Sequence, residues 1–91
     1  MAKIIKTDGT EIEVSPKNGT DFSLEEMQKV VCGFMEVYYI NNYNDILIIN
    51  EEGKLYNLPY NKTATELFRK AYRTDDYIVG DVLVCSKEQV K

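Results

Sequence analysis

The chain contains no histidine and no tryptophan among its 91 residues, and only two cysteines and two prolines. Without histidine it lacks the commonest general base near neutral pH. Two cysteines with no histidine beside them fall short of a tetrahedral zinc site. Cys32 and Cys85 each stand in an apolar run (Val-Val-Cys and Val-Leu-Val-Cys). They are expected to be buried free thiols acting as small hydrophobes, in preference to a disulfide. No apolar run approaches the roughly 20 residues that span a membrane. The opening Met-Ala-Lys-Ile-Ile-Lys lacks the apolar core of a signal peptide. The expectation is a soluble, cytoplasmic protein with no membrane partner. Lysine and arginine number 11 against 15 acidic residues, for a net charge of -4. That balance argues against a general nucleic-acid binder, whose affinity comes largely from cations on phosphates. The carboxylates are interleaved with lysines and do not form the dense run of a DNA mimic.

Catalytic signatures are also missing. The sequence has no phosphate-binding glycine loop, dinucleotide fingerprint, zinc spacing or calcium loop. A serine or cysteine nucleophile would need an activating base that histidine cannot supply here. The adjacent carboxylates Glu51-Glu52 and Asp75-Asp76 fall in turn-like segments, where acidic residues serve solubility and backbone bonding. A phosphodiesterase built on them is the weakest of the functional readings. The expectation is a binding protein, not an enzyme, without catalytic residues, metal or cofactor.

What is present suits one α+β domain over residues 1–91. Hydrophobic residues make up 44 % of the chain, enough to offset the entropy of ordering it. A domain this small buries only roughly two-thirds of its unfolded surface, so an oligomer interface that extends the core is expected. Lys3 to Thr7 and Glu11 to Val14 flank Asp8-Gly9, a hairpin signal. Ile12 and Val14 mark the buried face. Ser23-Leu24-Glu25-Glu26 fits a capping box, followed by Met27, Val30 and Val31 at helical spacing and a stop at Gly33. Phe34 to Ile40 reads as a strand, and Ile46 to Ile49 as a central strand covered on both faces. Lys54 to Asn57 reads as a short strand or extended segment. Asn61 or Thr63 can cap a second helix with the stripe Ala64, Leu67, Phe68, Ala71 and Tyr72. Tyr77 to Cys85 carries the last strand, with a bulge or turn at Gly80-Asp81, and Ser86 to Lys91 reads as a polar tail. The order ββαββ(β)αβ implies a small mixed or antiparallel sheet with two helices on one side.

Seven tyrosines stand out, since tyrosine offers a flat apolar face and a polar tip. Tyr38 and Tyr39 point to opposite sides of one strand, and Tyr72 is expected in the core. Tyr56 and Tyr60 bracket the loop that enters the second helix. There, the free amides and dipole of a helix N-terminus attract anions. Lys62 adds charge, and Asn61, Thr63 and Thr65 add neutral hydrogen-bonding groups. An ordinary helix cap plus a loop tyrosine is the bland reading of the same residues. The sharper one is a nucleotide site, with a base stacked on Tyr60 or Tyr39 and a phosphate at the helix end. Asn61, Lys62 and Thr63 would contact phosphate or ribose, and Lys54, Arg69 or Arg73 would counter ligand charge.

Four segments carry a family resemblance. They are Val31-Cys32-Gly33-Phe34-Met35-Glu36, Asn50-Glu51-Glu52-Gly53-Lys54, Leu58-Pro59-Tyr60-Asn61 with Ala64-Thr65, and Gly80-Asp81-Val82-Leu83-Val84. In their order and spacing, from about Ile4 to Val84, the chain resembles an uncharacterised small-protein family of phages and mobile elements, a domain of unknown function. A second glycine is usual in that family where this chain has Cys32, and the loop Asn41 to Asp45 is individual. The resemblance implies a non-enzymatic accessory role against host defence. Within it, the leading expectation is a sponge that sequesters a nucleotide-derived immune signal, such as a cyclic ADP-ribose variant or a cyclic dinucleotide. Such sponges are compact oligomers with pockets near subunit interfaces. The rival is a protein–protein inhibitor or adaptor of a host factor, favoured by the acidic surface and an open sheet edge.

Overall fold

A computed structural model describes residues Ala2 to Val90. Strands β1 (Ala2–Ile5) and β2 (Glu11–Val14) form the first hairpin. Its loop is closed by the Lys6 N–H on the Thr10 carbonyl at 2.8 Å. The Asp8 carboxylate accepts the Thr10 N–H at 2.8 Å, and this bond holds the Asp8 pKa below its ordinary value. Helix α1 (Leu24–Val31) starts with the expected capping box. The Glu26 N–H donates to the Ser23 hydroxyl at 3.1 Å, and the Ser23 N–H donates to the Glu26 carboxylate at 2.9 Å.

The helix stops one residue earlier than expected. Cys32, not Gly33, takes the left-handed position, with φ 64°. Gly33 serves close approach instead. A Cβ there would lie 3.0 Å from Nδ2 of Asn50, and that same amide donates to the Val31 carbonyl at 2.8 Å. Cys32 is consequently exposed, against expectation, while Cys85 is buried as expected, and both are free thiols.

Strands β3 (Met35–Ile40) and β4 (Asp45–Asn50) form a second hairpin. Its turn holds Asn41, Asn42 and Tyr43 at φ 53°, 57° and 67°. No strand forms over Lys54–Asn57. The segment folds into consecutive turns, because Tyr56 N–H bonds the Glu52 carbonyl and Asn57 N–H bonds the Lys54 carbonyl, both at 3.2 Å. Helix α2 (Lys62–Tyr72) is capped by Asn61. Gly80, at φ +81°, turns the chain toward β5 (Val82–Ser86), and a Cβ on it would press within 2.8 Å of Leu58 Cδ1.

The sheet is antiparallel throughout, in the order β2-β1-β5-β4-β3. Strand β4 explains the two layers around it. Ile46 and Ile48 pack with Met27 and Val31 of α1. Leu47 and Ile49 pack with Ala64 and Phe68 of α2. Alternate residues of a strand face opposite sides, so the helices cover opposite faces, and the expectation of both on one side is corrected. A strand apolar at every position needs cover on both sides.

Other expectations fail at the periphery. Ile12 is 42 % exposed and Tyr72 43 % exposed, because Ile12 lies on the marginal strand β2 and Tyr72 packs at the other margin, with its hydroxyl on the Tyr39 carbonyl of β3. The polar tail is docked. Ser86 pairs with Asp45, Lys87–Gln89 forms a 3-10 turn, and the Phe22 N–H donates to the Gln89 carbonyl at 2.7 Å. Lys91 lies outside the described residues.

Candidate functional site

The junction entering α2 is built from inside the fold. Asn61 is 0 % exposed and Thr65 1 %. The Asn61 amide donates to the Ile5 carbonyl at 3.0 Å and the Gly80 carbonyl at 2.9 Å, while its oxygen accepts the Ala64 N–H at 3.0 Å. The Thr65 hydroxyl accepts the Ile78 N–H at 2.9 Å. These groups have no face toward solvent, so their expected role as ligand contacts is corrected to a structural one. A polar group this deeply buried must be bonded internally, and here it is. Lys62 is exposed and Thr63 half-buried at the helix start, and Tyr56 is exposed on the 51–57 turns.

Three of the expected cations are also committed or remote. Lys54 pairs with the Asp76 carboxylate and lies over the Tyr77 ring, 4.2 Å from its centroid. That ring stands 6.1 Å from Tyr60. The Lys54 hydrogen bond, followed by the Tyr77 N–H, holds the Asp76 pKa below its ordinary value. Arg69 donates to the backbone carbonyls of Asp76 and Asp75, both at 2.9 Å. Arg73, at φ 49°, caps the far end of α2, roughly 16 Å from the start at 1.5 Å per residue. The structure thus gathers Lys54 and Tyr60 around Tyr77, while Arg73 lies at the opposite end of α2 from Tyr60.

Next to this cluster, Glu36, Tyr38, Glu52, Lys54, Asp76 and Tyr77 belong to the lining of a cavity of about 300 Å³. Burial, then the neighbouring Glu36 carboxylate, pushes the Tyr38 phenol pKa up.

A larger concavity, about 490 Å³, lies at the other end of α2, between it and the β3–β4 turn. Asn41, Asn42, Tyr43, Lys70 and Tyr72 supply its polar lining, and Ile40, Leu67 and Ala71 its apolar lining. The Tyr72 hydroxyl is fixed by donating to the Tyr39 carbonyl at 2.6 Å, and its ring stands 5.6 Å from Tyr38 and 5.1 Å from Phe68. Tyr39, the expected stacking residue, meets this concavity from the sheet margin. By strand alternation its side chain falls on the opposite face from Tyr38, with its ring 5.7 Å from Tyr43. Sequence reading missed Asn41, Asn42, Tyr43 and Lys70. The one signal for the first three was the individual loop Asn41 to Asp45, and Lys70 had none.

Among the described residues, no group of three or more acidic, histidine or cysteine side chains is arranged to hold a metal ion. No helix among them is long and apolar enough to cross a membrane.

The family model described as Domain of unknown function (DUF3846) matches residues 2–90. The chain belongs to this family. The resemblance seen in the sequence segments is therefore confirmed at the level of a domain of unknown function. No curated protein and no solved structure matches the chain.

Proposed function

We propose that this DUF3846 protein works by binding, without catalysis, and that it sequesters a nucleotide-derived small molecule. The observation that carries this reading is the concavity of about 490 Å³ between the β3–β4 turn and the second half of α2. Its size falls within the range of small-molecule sites, roughly 300–1,000 Å³. Its lining suits a nucleotide. Tyr43 and Tyr72 offer aromatic faces for a base, Asn41 and Asn42 offer amides for polar edges and ribose, and Lys70 offers charge for a phosphate. The site thereby moves from the start of α2 to its end. A phage-type accessory role against host defence, with a cyclic ADP-ribose variant or a cyclic dinucleotide as ligand, is the form of the proposal that the family resemblance suggests.

Calorimetry against a panel of such nucleotides tests it. At least one should bind with a 1:1 ligand-to-chain or 1:2 stoichiometry, and Lys70→Ala and Tyr43→Ala should each weaken binding about tenfold, or ~1.4 kcal/mol. Flat titrations across the panel would sink the reading.

A second reading, an inhibitor or adaptor of a host protein, draws on Leu55 and Tyr56, which stand 72 % and 63 % exposed on the 51–57 turns. A stoichiometric host protein in a pull-down, lost with Leu55→Ser, would favour it.

A further inference from the structure

Strand β3 is one margin of the sheet, with β4 on its inner side and no strand among the described residues on its outer side. In an antiparallel ladder, backbone groups of successive residues turn alternately toward the neighbour and away from it. The Glu51 N–H donates to the Phe34 carbonyl at 2.9 Å, in the register that pairs Glu36 with Ile49 and Tyr38 with Leu47. Phe34, Glu36, Tyr38 and Ile40 therefore turn their backbone toward β4. Met35, Val37 and Tyr39 turn theirs outward. The Tyr72 hydroxyl confirms this, since it reaches the Tyr39 carbonyl from α2 and not from β4.

The two margins of the sheet differ. Strand β2 is short, Glu-Ile-Glu-Val, with two carboxylates in four residues. Strand β3 has six residues, Met-Glu-Val-Tyr-Tyr-Ile, with one charge. Short, charged edge strands resist pairing, whereas longer apolar ones template it. Val37 and Tyr39 are 37 % and 45 % exposed on this margin.

We propose that β3 pairs antiparallel with β3 of a second copy of this chain, about a two-fold axis at Val37, joining two five-stranded sheets into one. Val37 then exchanges both backbone bonds with Val37 of the second copy, and Met35 exchanges both with Tyr39. A carbonyl oxygen has two lone pairs, so Tyr39 keeps its bond from Tyr72. Charge selects this register. Glu36, the only charged residue of the strand, comes opposite the uncharged Tyr38 of the second copy and not opposite the second carboxylate. The neighbouring register, centred on Glu36, would set two carboxylates directly opposite, which is destabilising. In the Val37-centred register the strand's sole charge meets no like charge, so the strand is compatible with a copy of itself.

The same register aligns Phe34 of the second copy with Ile40, on the face that α2 covers. Ile40 lines the larger concavity, and Phe34 is 65 % exposed in the single chain. The second copy thus adds an aromatic wall to that mouth. Only this consequence rests on the ligand reading; the pairing stands on the backbone of β3.

Light scattering and analytical ultracentrifugation of the full chain at tens of micromolar should give twice the 10.5 kDa chain mass. Val37→Pro should give the single mass with an unchanged far-ultraviolet spectrum, because the N–H it removes points outward, where proline is tolerated on an edge strand. Val37→Lys, which sets two ammonium groups together on the axis, should do the same. In the parent chain the Val37 and Tyr39 amides should exchange more slowly as concentration rises. A single-chain mass for the parent, or a double mass retained in a folded Val37→Pro or Val37→Lys chain, overturns the proposal. If Val37→Pro loses its fold, Val37→Lys and the exchange data decide. A second copy replaced by another protein's strand would appear as a single-chain mass and overturns it too. A flat nucleotide titration leaves the pairing standing, and a single-chain mass leaves the titration standing, so the two readings fail separately.

Discussion

The side-chain amide of Asn61 donates to the Ile5 carbonyl at 3.0 Å, tying the start of α2 to the end of β1 across most of the chain. With the Gly80 carbonyl and the Ala64 N–H also on this side chain, one residue closes three segments around a fully buried point. Asn61→Ala should lower stability by about 2–4 kcal/mol, since buried polar groups lose their partners and the helix loses its cap. Asn61→Asp should be at least as damaging, because it keeps the cap acceptor and sets a carboxylate against two carbonyls. Urea unfolding measures both, and a midpoint unchanged from the parent would remove the role.

Cys32 holds a left-handed backbone position, φ 64°, that glycine occupies without a Cβ clash. Cys32→Gly should therefore stabilise the protein by about 0.5–1 kcal/mol, the loss of unfolded-state stiffness being smaller than the strain relieved. Cys32→Ala should bring no such gain. Equal denaturation midpoints for all three chains would count against strain at this position.

The two thiols should separate cleanly in reactivity. Cys32 is exposed and Cys85 buried, and burial pushes the Cys85 pKa up to about 11 from an ordinary 9.0. Under native conditions at pH 8, one thiol per chain should react with an alkylating reagent, and the second only after denaturation. The raised value also has a sign for stability. The folded state holds the Cys85 proton more tightly than the unfolded state, so this contribution is complete below pH 9 and is lost as pH rises toward 11. Cys85→Ala should flatten that alkaline decline. Rapid native labelling of both thiols would contradict the packing of β5.

Tyr72→Phe removes the hydroxyl from the Tyr39 carbonyl. The ring contacts with Tyr38 and Phe68 remain. Because the pair is part-exposed, the cost should be modest, about 0.5–1 kcal/mol. A loss of several kcal/mol by denaturant titration would mean that the hydroxyl supports more than the end of α2.

Local chemistry made several of these elements legible in the sequence. The Ser23–Glu26 box and the Asp8-Gly9 hairpin are decided by neighbours a few residues apart. The run Ile46 to Ile49 announced cover on both faces, and that cover is what places the helices on opposite sides. Placing them on one side followed from element order, which does not record to which face each connection crosses. The site was harder to read for a different reason. A polar loop residue that binds a ligand and one that bonds a distant carbonyl look alike in sequence. Asn61 was legible as a cap, but its partners at Ile5 and Gly80 were not. Arg69 similarly looked free, although its guanidinium is spent on the Asp75 and Asp76 carbonyls. Tyr72 fits the apolar stripe of α2, but it packs at the margin of the sheet.

Strand β5 lies between β1 and β4, although it is the last strand in the chain. Among the described residues the two hairpins, β1–β2 and β3–β4, share no ladder of their own, and β5 pairs with both. During synthesis they can each form early, but they cannot become one sheet until the ribosome has released residues through Ser86. This domain should thus acquire its native fold only once β5 has emerged, and a nascent chain stalled before Val82 should remain open to proteases that the completed sheet resists.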